Sequence, residues 1–178
     1  MELSTFIKVY DNFLQEKTCE NIIKTYNDNL EHVDVYDTEG YKFHQLNLNK
    51  NHLFDLASSI ANSLVPYYNR YFEEVGYKQF VDIKGFEEVR IKKYIKNSND
   101  EFKTHVDVVD KQSAVRYCIA IVYLNDNDGC TTFPKLGVKI EPKAGRLIIF
   151  PPMWMFPHNG LTPTDADKYI MMTSLHYS

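Results

Sequence analysis

The feature that most constrains the fold is a change of pattern near residue 81. From there on, short strand-like runs follow one another and are separated by clusters of turn residues. The runs cover residues 87–95, 115–124, 131–133, 138–141, 146–150 and 168–176. Turn residues fill 97–100, 125–129, 143–145 and 163–167. Such a succession predicts two packed antiparallel sheets, as in a jelly roll.

The amino-terminal part has a different pattern. Phe6 to Tyr10 alternates like a short strand, and apolar residues recur at helical spacing over about residues 16–30 and again over 53–72. Pro66 must kink this second pattern or divide it, and we expect two helical pieces. Residues 33–51 have no clean period, which leaves a loop or a strand at a sheet edge open.

Together these patterns predict an α+β, mainly β fold. We expect a double-stranded β-helix (jelly roll, cupin-like) with supporting N-terminal helices, in one domain over residues 1–178. The helical support would occupy about residues 1–80 and the jelly-roll core about 81–178. A chain of 178 residues can bury a core of its own.

Charge and composition exclude several function classes. A formal net charge of -4 provides no field that would attract a phosphate backbone, so we expect no nucleic-acid partner. The basic segment Arg90, Lys92, Lys93 and Lys96 is expected to be a solvated strand face.

Cysteine usage and the amino terminus indicate the compartment. Cys19, Cys118 and Cys130 are odd in number and widely spaced, which argues against a disulfide framework and against a thiolate zinc site. The first 12 residues lack a basic region followed by an apolar run, and no apolar run approaches a membrane span. We therefore expect a soluble cytoplasmic protein without a membrane partner.

One tripeptide has the residue types of a metal site. In His105-Val106-Asp107, strand alternation would direct the imidazole and the carboxylate to the same side. His158 follows an aromatic and apolar run far downstream, where a sheet could bring it close. Two histidines and one carboxylate form the facial triad of non-haem Fe(II) oxygenases, which leaves positions open for reactants. Lys168, ten residues after His158, could neutralise a buried carboxylate.

Several motifs occur in an order that resembles a known family. The stretch Val9-Tyr10-Asp11-Asn12-Phe13-Leu14 resembles an opening strand and turn, and Arg90 to Tyr94 precedes the H-x-D tripeptide as a tyrosine-bearing strand does in that family. Tyr123-Leu124-Asn125-Asp126 and Gly129-Cys130-Thr131-Thr132-Phe133-Pro134 resemble its Y-L-N-D and G-G-x-T-x-F-P stretches, with Asp128 in place of the first glycine. The family is the prolyl 4-hydroxylase-like branch of the Fe(II)/2-oxoglutarate dioxygenases.

The resemblance implies roles for six residues. His105, Asp107 and His158 would bind Fe(II), and Lys168 would pair with the distal carboxylate of 2-oxoglutarate. Tyr94 would hydrogen-bond the same carboxylate, and Thr131 would line the pocket.

The implied reaction uses O2 and hydroxylates a C–H bond, with release of succinate and CO2. Ascorbate is the reductant that the resemblance implies. The leading substrate is a prolyl residue in a peptide or protein. A free amino acid or other small molecule remains open as substrate, and so do a non-catalytic cupin-like binding module and a zinc or manganese enzyme. The segments 33–51, 75–85 and 108–113 are expected to shape substrate choice.

Overall fold

The computed structural model describes residues 2–76 and 85–177. Its α-helices are α1 (Glu16–Asn27) and α2 (Phe54–Glu74). The strands are β1 (Lys8–Tyr10), β2 (Val33–Asp37), β3 (Lys42–Asn47), β4 (Gly85–Phe86), β5 (Arg90–Tyr94), β6 (Phe102–His105), β7 (Arg116–Tyr123), β8 (Thr131–Phe133), β9 (Val138–Ile140), β10 (Leu147–Phe150), β11 (His158–Gly160) and β12 (Lys168–His176). Short 3-10 helices cover Leu3–Phe6, Leu30–His32, Asn51–Leu53, Ser113–Val115 and Pro134–Leu136.

The strands form two antiparallel sheets. In the larger sheet the order is β1-β10-β7-β12-β5-β3-β2, with β4 paired to β12, and in the smaller sheet it is β6-β11-β8-β9. Neighbours along each sheet are mostly distant in sequence, as they are when a chain winds between two layers. The predicted mainly β jelly roll is confirmed.

The central strands of the larger sheet separate two cores. In β7, Ile119, Ile121 and Tyr123 join the core between the sheets, whereas alternate residues such as Ala120 and Val122 join the core beneath the helices. Both faces are buried, so a slip of one residue would exchange the two sets of side chains. The helices therefore fix the register of strands that position the site on the other face.

The first 80 residues contribute more than helices. The structure also places β1, β2 and β3 there, and all three extend the larger sheet. The short strand expected over Phe6 to Tyr10 corresponds to β1. For residues 33–51 the edge-strand alternative is the correct one, because β2 is the outermost strand. Two other segments were expected to shape substrate choice. Most of 75–85 lies outside the described residues, and 108–113 lies between β6 and β7.

The prediction that Pro66 divides the second helix is wrong. The helix α2 runs unbroken through Pro66. A proline removes one backbone hydrogen bond of the helix. The buried face of α2 outweighs that loss, since Ile60, Leu64, Tyr68 and Phe72 all pack in the core under the sheet. No helix in the described residues combines the length and the apolar character that crossing a membrane requires.

Gly145 allows the turn before β10 to lie directly against the amino-terminal segment. Gly145 has a φ of +76°, and an added Cβ would lie 2.0 Å from the carbonyl oxygen of Leu14. The amide of Leu14 in turn donates to the carbonyl of Gly145 at 3.3 Å. The turn before β10 and the segment after β1 are thus in backbone contact.

Gly145→Ala is expected to lower the free energy of unfolding by about 2–5 kcal/mol, from the left-handed backbone and the clash together. The matched control is Gly137→Ala, because Gly137 has a φ of +64° and open space around it. That variant should lose only about 1–2 kcal/mol. Urea unfolding of both variants measures the difference. Equal losses of unfolding free energy in the two variants would show that the backbone at Leu14 can move to accommodate the added methyl group.

Candidate metal centre

The smaller sheet brings the two candidate histidines together. His105 ends β6, His158 begins β11, and the two residues are direct partners in the antiparallel pairing of these strands. Asp107 lies two residues beyond the end of β6, where its backbone amide donates to the carbonyl of Pro152 at 3.1 Å. The expected alternation thus ends at His105, and the contact with Pro152 holds the carboxylate beside the histidines.

The three side chains converge on one point. His105 Nε2 lies 3.9 Å from Asp107 Oδ1, and His158 Nε2 lies 3.5 Å from Asp107 Oδ2. One ligand atom from each residue can be chosen so that all lie within 4.8 Å of one another. A single ion could contact all three.

Hydrogen bonds orient both imidazoles. His105 Nδ1 is 2.8 Å from the carbonyl of Lys103, and His158 Nδ1 is 3.1 Å from the carbonyl of Phe156. A carbonyl only accepts, so each Nδ1 carries the proton and each Nε2 presents a lone pair. A backbone carbonyl of this kind is a usual outer partner of a metal-bound histidine.

The electrostatics favour a cation at this point. Burial, and the neighbouring imidazole of His158, lower the pKa of His105 to about 4; burial lowers that of His158 to about 4 as well. Both rings are therefore uncharged at neutral pH and free to bind a metal. Burial raises the pKa of Asp107, whose Oδ2 is buried and has no hydrogen-bond partner among the described residues.

An unsatisfied buried carboxylate oxygen is costly. A divalent cation between the three ligands would satisfy that oxygen and the two lone pairs at once. The donor set of two nitrogens and one carboxylate suits a non-haem Fe(II) ion with open coordination positions. The residues present therefore fit the metal that the sequence predicts.

The larger sheet supplies the opposite wall of the same pocket. The cavity of about 410 Å³ is lined by the three candidate ligands and by all three of the other predicted residues, Tyr94, Thr131 and Lys168. Lys168 begins β12 and pairs in register with Tyr94 at the end of β5. Every predicted site residue is thus placed in one cavity.

Lys168 is a buried cation at this wall. It is 1% exposed, its Nζ donates to the carbonyl of Gly129 at 2.6 Å, and the ammonium lies 5.2 Å from the centre of the Tyr94 ring. Burial lowers its pKa to about 8, so it is mostly protonated at pH 7. The structure shows no carboxylate partner for it among the described residues.

Some residues that line the pocket or contact its lining were not predicted from the sequence. Phe102 stacks on the ring of His105 with centroids 3.6 Å apart, and Tyr123 donates to Thr131 Oγ1 at 2.7 Å. Arg116 donates to the backbone carbonyl of Asp107 at 2.8 Å and to Glu87 at 2.7 Å, which ties the loop of Asp107 to β7. Tyr123 belongs to the Y-L-N-D stretch, which assigned it no role in the site. Phe102 and Arg116 lack motif spacing and become recognisable only when the sheets are paired.

The interpretation of the basic segment as a solvated face is wrong except for Lys96, since Arg90 and Lys93 are half-buried and paired with carboxylates and Lys92 is buried. Lys92 is 6% exposed and lines the cavity. Strand alternation correctly places Lys93 on the other face, but Ile91 and Tyr94 of β5 pack into the cores on opposite faces of the sheet, so neither face is simply solvated.

The chain resembles known proteins in its sequence and in its fold. A family model described as the 2OG-Fe(II) oxygenase superfamily matches residues 89–176, which include all six predicted site residues. No curated protein sequence matches the chain.

Solved structures of three prolyl hydroxylases resemble the chain. A viral collagen prolyl hydroxylase of Paramecium bursaria Chlorella virus-1, in complex with 2-oxoglutarate, is 20% identical with a TM-score of 0.76, and 97% of each chain is covered. A Pseudomonas putida prolyl-4-hydroxylase is 16% identical (TM-score 0.71; 98% of this chain and 94% of that one). A Trichoplax adhaerens prolyl hydroxylase, bound to a peptide of the hypoxia inducible factor oxygen degradation domain, is 15% identical (TM-score 0.71; 98% and 84%). At these identities the likeness establishes a shared fold.

Proposed function

The chain belongs to the 2OG-Fe(II) oxygenase superfamily, and from this premise we propose that it hydroxylates a prolyl residue of a peptide or protein. It is a dioxygenase that uses Fe(II), 2-oxoglutarate and O2. The observation that carries the proposal is that six residues of the matched segment, from both sheets, line one cavity. Ascorbate is proposed as the reductant that sustains turnover.

His105, Asp107 and His158 are proposed to hold the metal. The support is their convergence, the lone pairs at both Nε2 atoms and the Oδ2 of Asp107, which has no hydrogen-bond partner within residues 2–76 and 85–177. When bound, Fe(II) and 2-oxoglutarate supply the oxidation, in which O2 and 2-oxoglutarate become succinate, CO2 and the hydroxyl group of the product. The chain keeps the ligands in place through the carbonyls of Lys103 and Phe156 and through Arg116.

Lys168 is proposed to pair with the distal carboxylate of 2-oxoglutarate, with the Tyr94 hydroxyl donating to the same group. Thr131 is proposed to line this end of the pocket. A buried ammonium without an anionic partner in the described part of the chain supports this role, because a carboxylate would supply the missing charge. The hydrogen bond from Tyr123 fixes the Thr131 hydroxyl.

The prolyl substrate is supported by the fold and by the walls of the cavity. The three similar structures are prolyl hydroxylases. Tyr36, Tyr41 and Phe43 from the β2–β3 hairpin line the cavity and contact one another, which gives an aromatic wall for a small apolar ring. A non-catalytic binding module is not favoured, because the three metal ligands are all present and converge.

Anaerobic titration with Fe(II) and 2-oxoglutarate tests the cofactor chemistry. We expect the weak visible charge-transfer band of the chelate, and we expect His158→Ala to lose it, since one of three metal ligands is removed. His52→Ala is the matched control, because His52 is exposed and lies outside the cavity. A band that persists in His158→Ala would contradict the site.

The substrate is tested separately. Proline-containing peptides incubated with Fe(II), 2-oxoglutarate, O2 and ascorbate should gain one oxygen atom on the prolyl residue, as measured by fragment mass spectrometry. A chelate band without oxidation of any prolyl peptide would contradict the prolyl substrate and leave the cofactor chemistry in place.

A further inference from the structure

Lys92 is a buried cation that the proposed metal and 2-oxoglutarate sites do not use. It lies in the middle of β5 and lines the cavity, although only 6% of its surface is exposed. Its ammonium lies 4.0 Å from the centre of the Phe43 ring and 5.2 Å from that of Phe102. The two rings hold the charge through cation–π contacts but accept no conventional hydrogen bond from it.

The described residues offer Lys92 no anionic partner. The two arginines of the cavity are paired: Arg116 with Glu87, and Arg90 with Glu87 and Glu88. No ion pair or hydrogen bond of the Lys92 ammonium lies within the described residues, so Asp107 attracts it only from a distance. Burial lowers the pKa of Lys92 to about 7. A buried ammonium with three unused donors is unfavourable unless a ligand supplies the acceptor.

The register places Lys92 next to the proposed 2-oxoglutarate site. Along β5 the cavity face carries Tyr94, Lys92 and Arg90 in turn, opposite Lys168, Ile170 and Met172 of β12. Two residues of a strand span about 7 Å. The Lys92 backbone is therefore one step from the Tyr94–Lys168 pair, on the side of Arg90 and its acidic partners. A molecule bound beside 2-oxoglutarate would meet this ammonium.

We propose that Lys92 determines substrate specificity by pairing with a carboxylate of the substrate next to the residue that is hydroxylated. This deepens the proposed function and rests on it, since it concerns the substrate end of the same cavity. The carboxylate is either the main-chain carboxylate of a terminal residue or the side chain of a neighbouring acidic residue. The aromatic rings of Phe43 and Phe102 fix the ammonium, so the contact is directional.

Binding of paired probes tests this inference without turnover. The protein is loaded with Mn(II) and 2-oxoglutarate, and calorimetry compares N-acetyl-L-proline with N-acetyl-L-prolinamide, and acetyl-Glu-Pro-amide with acetyl-Gln-Pro-amide. A third pair, N-acetyl-L-leucine and its amide, lacks the prolyl ring. A charge-assisted contact predicts that the carboxylate member of at least one pair binds about 10-fold more tightly or better.

Three variants assign that preference to one side chain. Lys92→Met should reduce the ratio to within about 2-fold, while Lys92→Arg should retain part of it, because the charge remains. Lys93→Met is the matched control and should keep the full ratio. Lys93 is the next residue of the same strand, on the opposite face, and its ammonium pairs with Asp167 at 3.0 Å.

The outcomes separate the two proposals. A preference that depends on Lys92 in a prolyl pair supports both, and the pair that shows it identifies the source of the carboxylate. The same preference in the leucine pair alone supports the role of Lys92 and contradicts the prolyl substrate. No carboxylate preference in any pair, or an unchanged ratio in Lys92→Met, overturns the inference. The inference is also overturned if Lys92→Met loses affinity for 2-oxoglutarate and shows no change in the binding of the probes.

Discussion

Asp107→Ala is expected to abolish turnover and to weaken Fe(II) binding by well over the ~10–100-fold that loss of an outer partner typically causes. The variant removes the one charged member of the candidate triad, whose Oδ2 is buried without a hydrogen-bond partner in the described residues. Without metal, removing this unsatisfied oxygen should cost little stability. Thermal unfolding without and with Mn(II) measures the stability of the variant and its metal binding. Metal should stabilise the unmodified protein and leave the stability of the variant unchanged.

Asp110→Ala is the control for this prediction. Asp110 lies three residues away in the same segment, is exposed, and hydrogen-bonds within its own turn to Ser113. It should retain metal-dependent stabilisation and turnover. If Asp107→Ala still gained stability from Mn(II) and turned over normally, the metal would lie elsewhere.

Some of the strands were predictable because their residues follow a local rule, but β6 and β11, which carry His105 and His158, lie outside the predicted runs because they are short and contain few apolar residues. Thr131 to Phe133 and Lys168 to His176 were predicted with the bounds that the structure has, since short β-branched and aromatic runs end at turn residues. Helix α2 and strands β2 and β3 depend on distant partners instead. The core under the sheet overrides Pro66, and pairing with β5 makes strands of a segment without a period.

The candidate site shows the same division. His105, Asp107, His158 and Lys168 were predicted because their types and order are distinctive. Lys92 was not predicted, since a lysine in a basic strand is expected to be solvated. Its cover by the β2–β3 hairpin is seen only in the structure. Its burial depends on Phe43, which is 49 residues away in sequence and reaches it only through the pairing of β3 with β5.

Lys168→Met is expected to raise the 2-oxoglutarate concentration needed for half-maximal turnover by about 30-fold or more, which corresponds to loss of one partner of a buried charge pair. Methionine fills much of the same volume, so the fold should persist. The variant should bind Fe(II) as before, because Lys168 lies on the larger sheet and is not one of the candidate ligands. Succinate formation at varied 2-oxoglutarate measures the change, and Lys139→Met, an exposed lysine on β9, is the control.

The pKa of Lys168 adds a second test. Burial lowers this pKa to about 8, so the ammonium is charged below that pH and loses its proton as the pH rises through it. A bound carboxylate would raise this pKa in the complex. Affinity for 2-oxoglutarate should therefore fall as the pH rises above about 8, the pKa of Lys168 in the protein without 2-oxoglutarate. Lys168→Arg stays charged and should show no such fall if it binds 2-oxoglutarate at all. If Lys168→Met left the 2-oxoglutarate requirement and its pH profile unchanged, the carboxylate would be assigned to another cation of the cavity. Lys92 would be the candidate, because it is buried and has no anionic partner among the described residues.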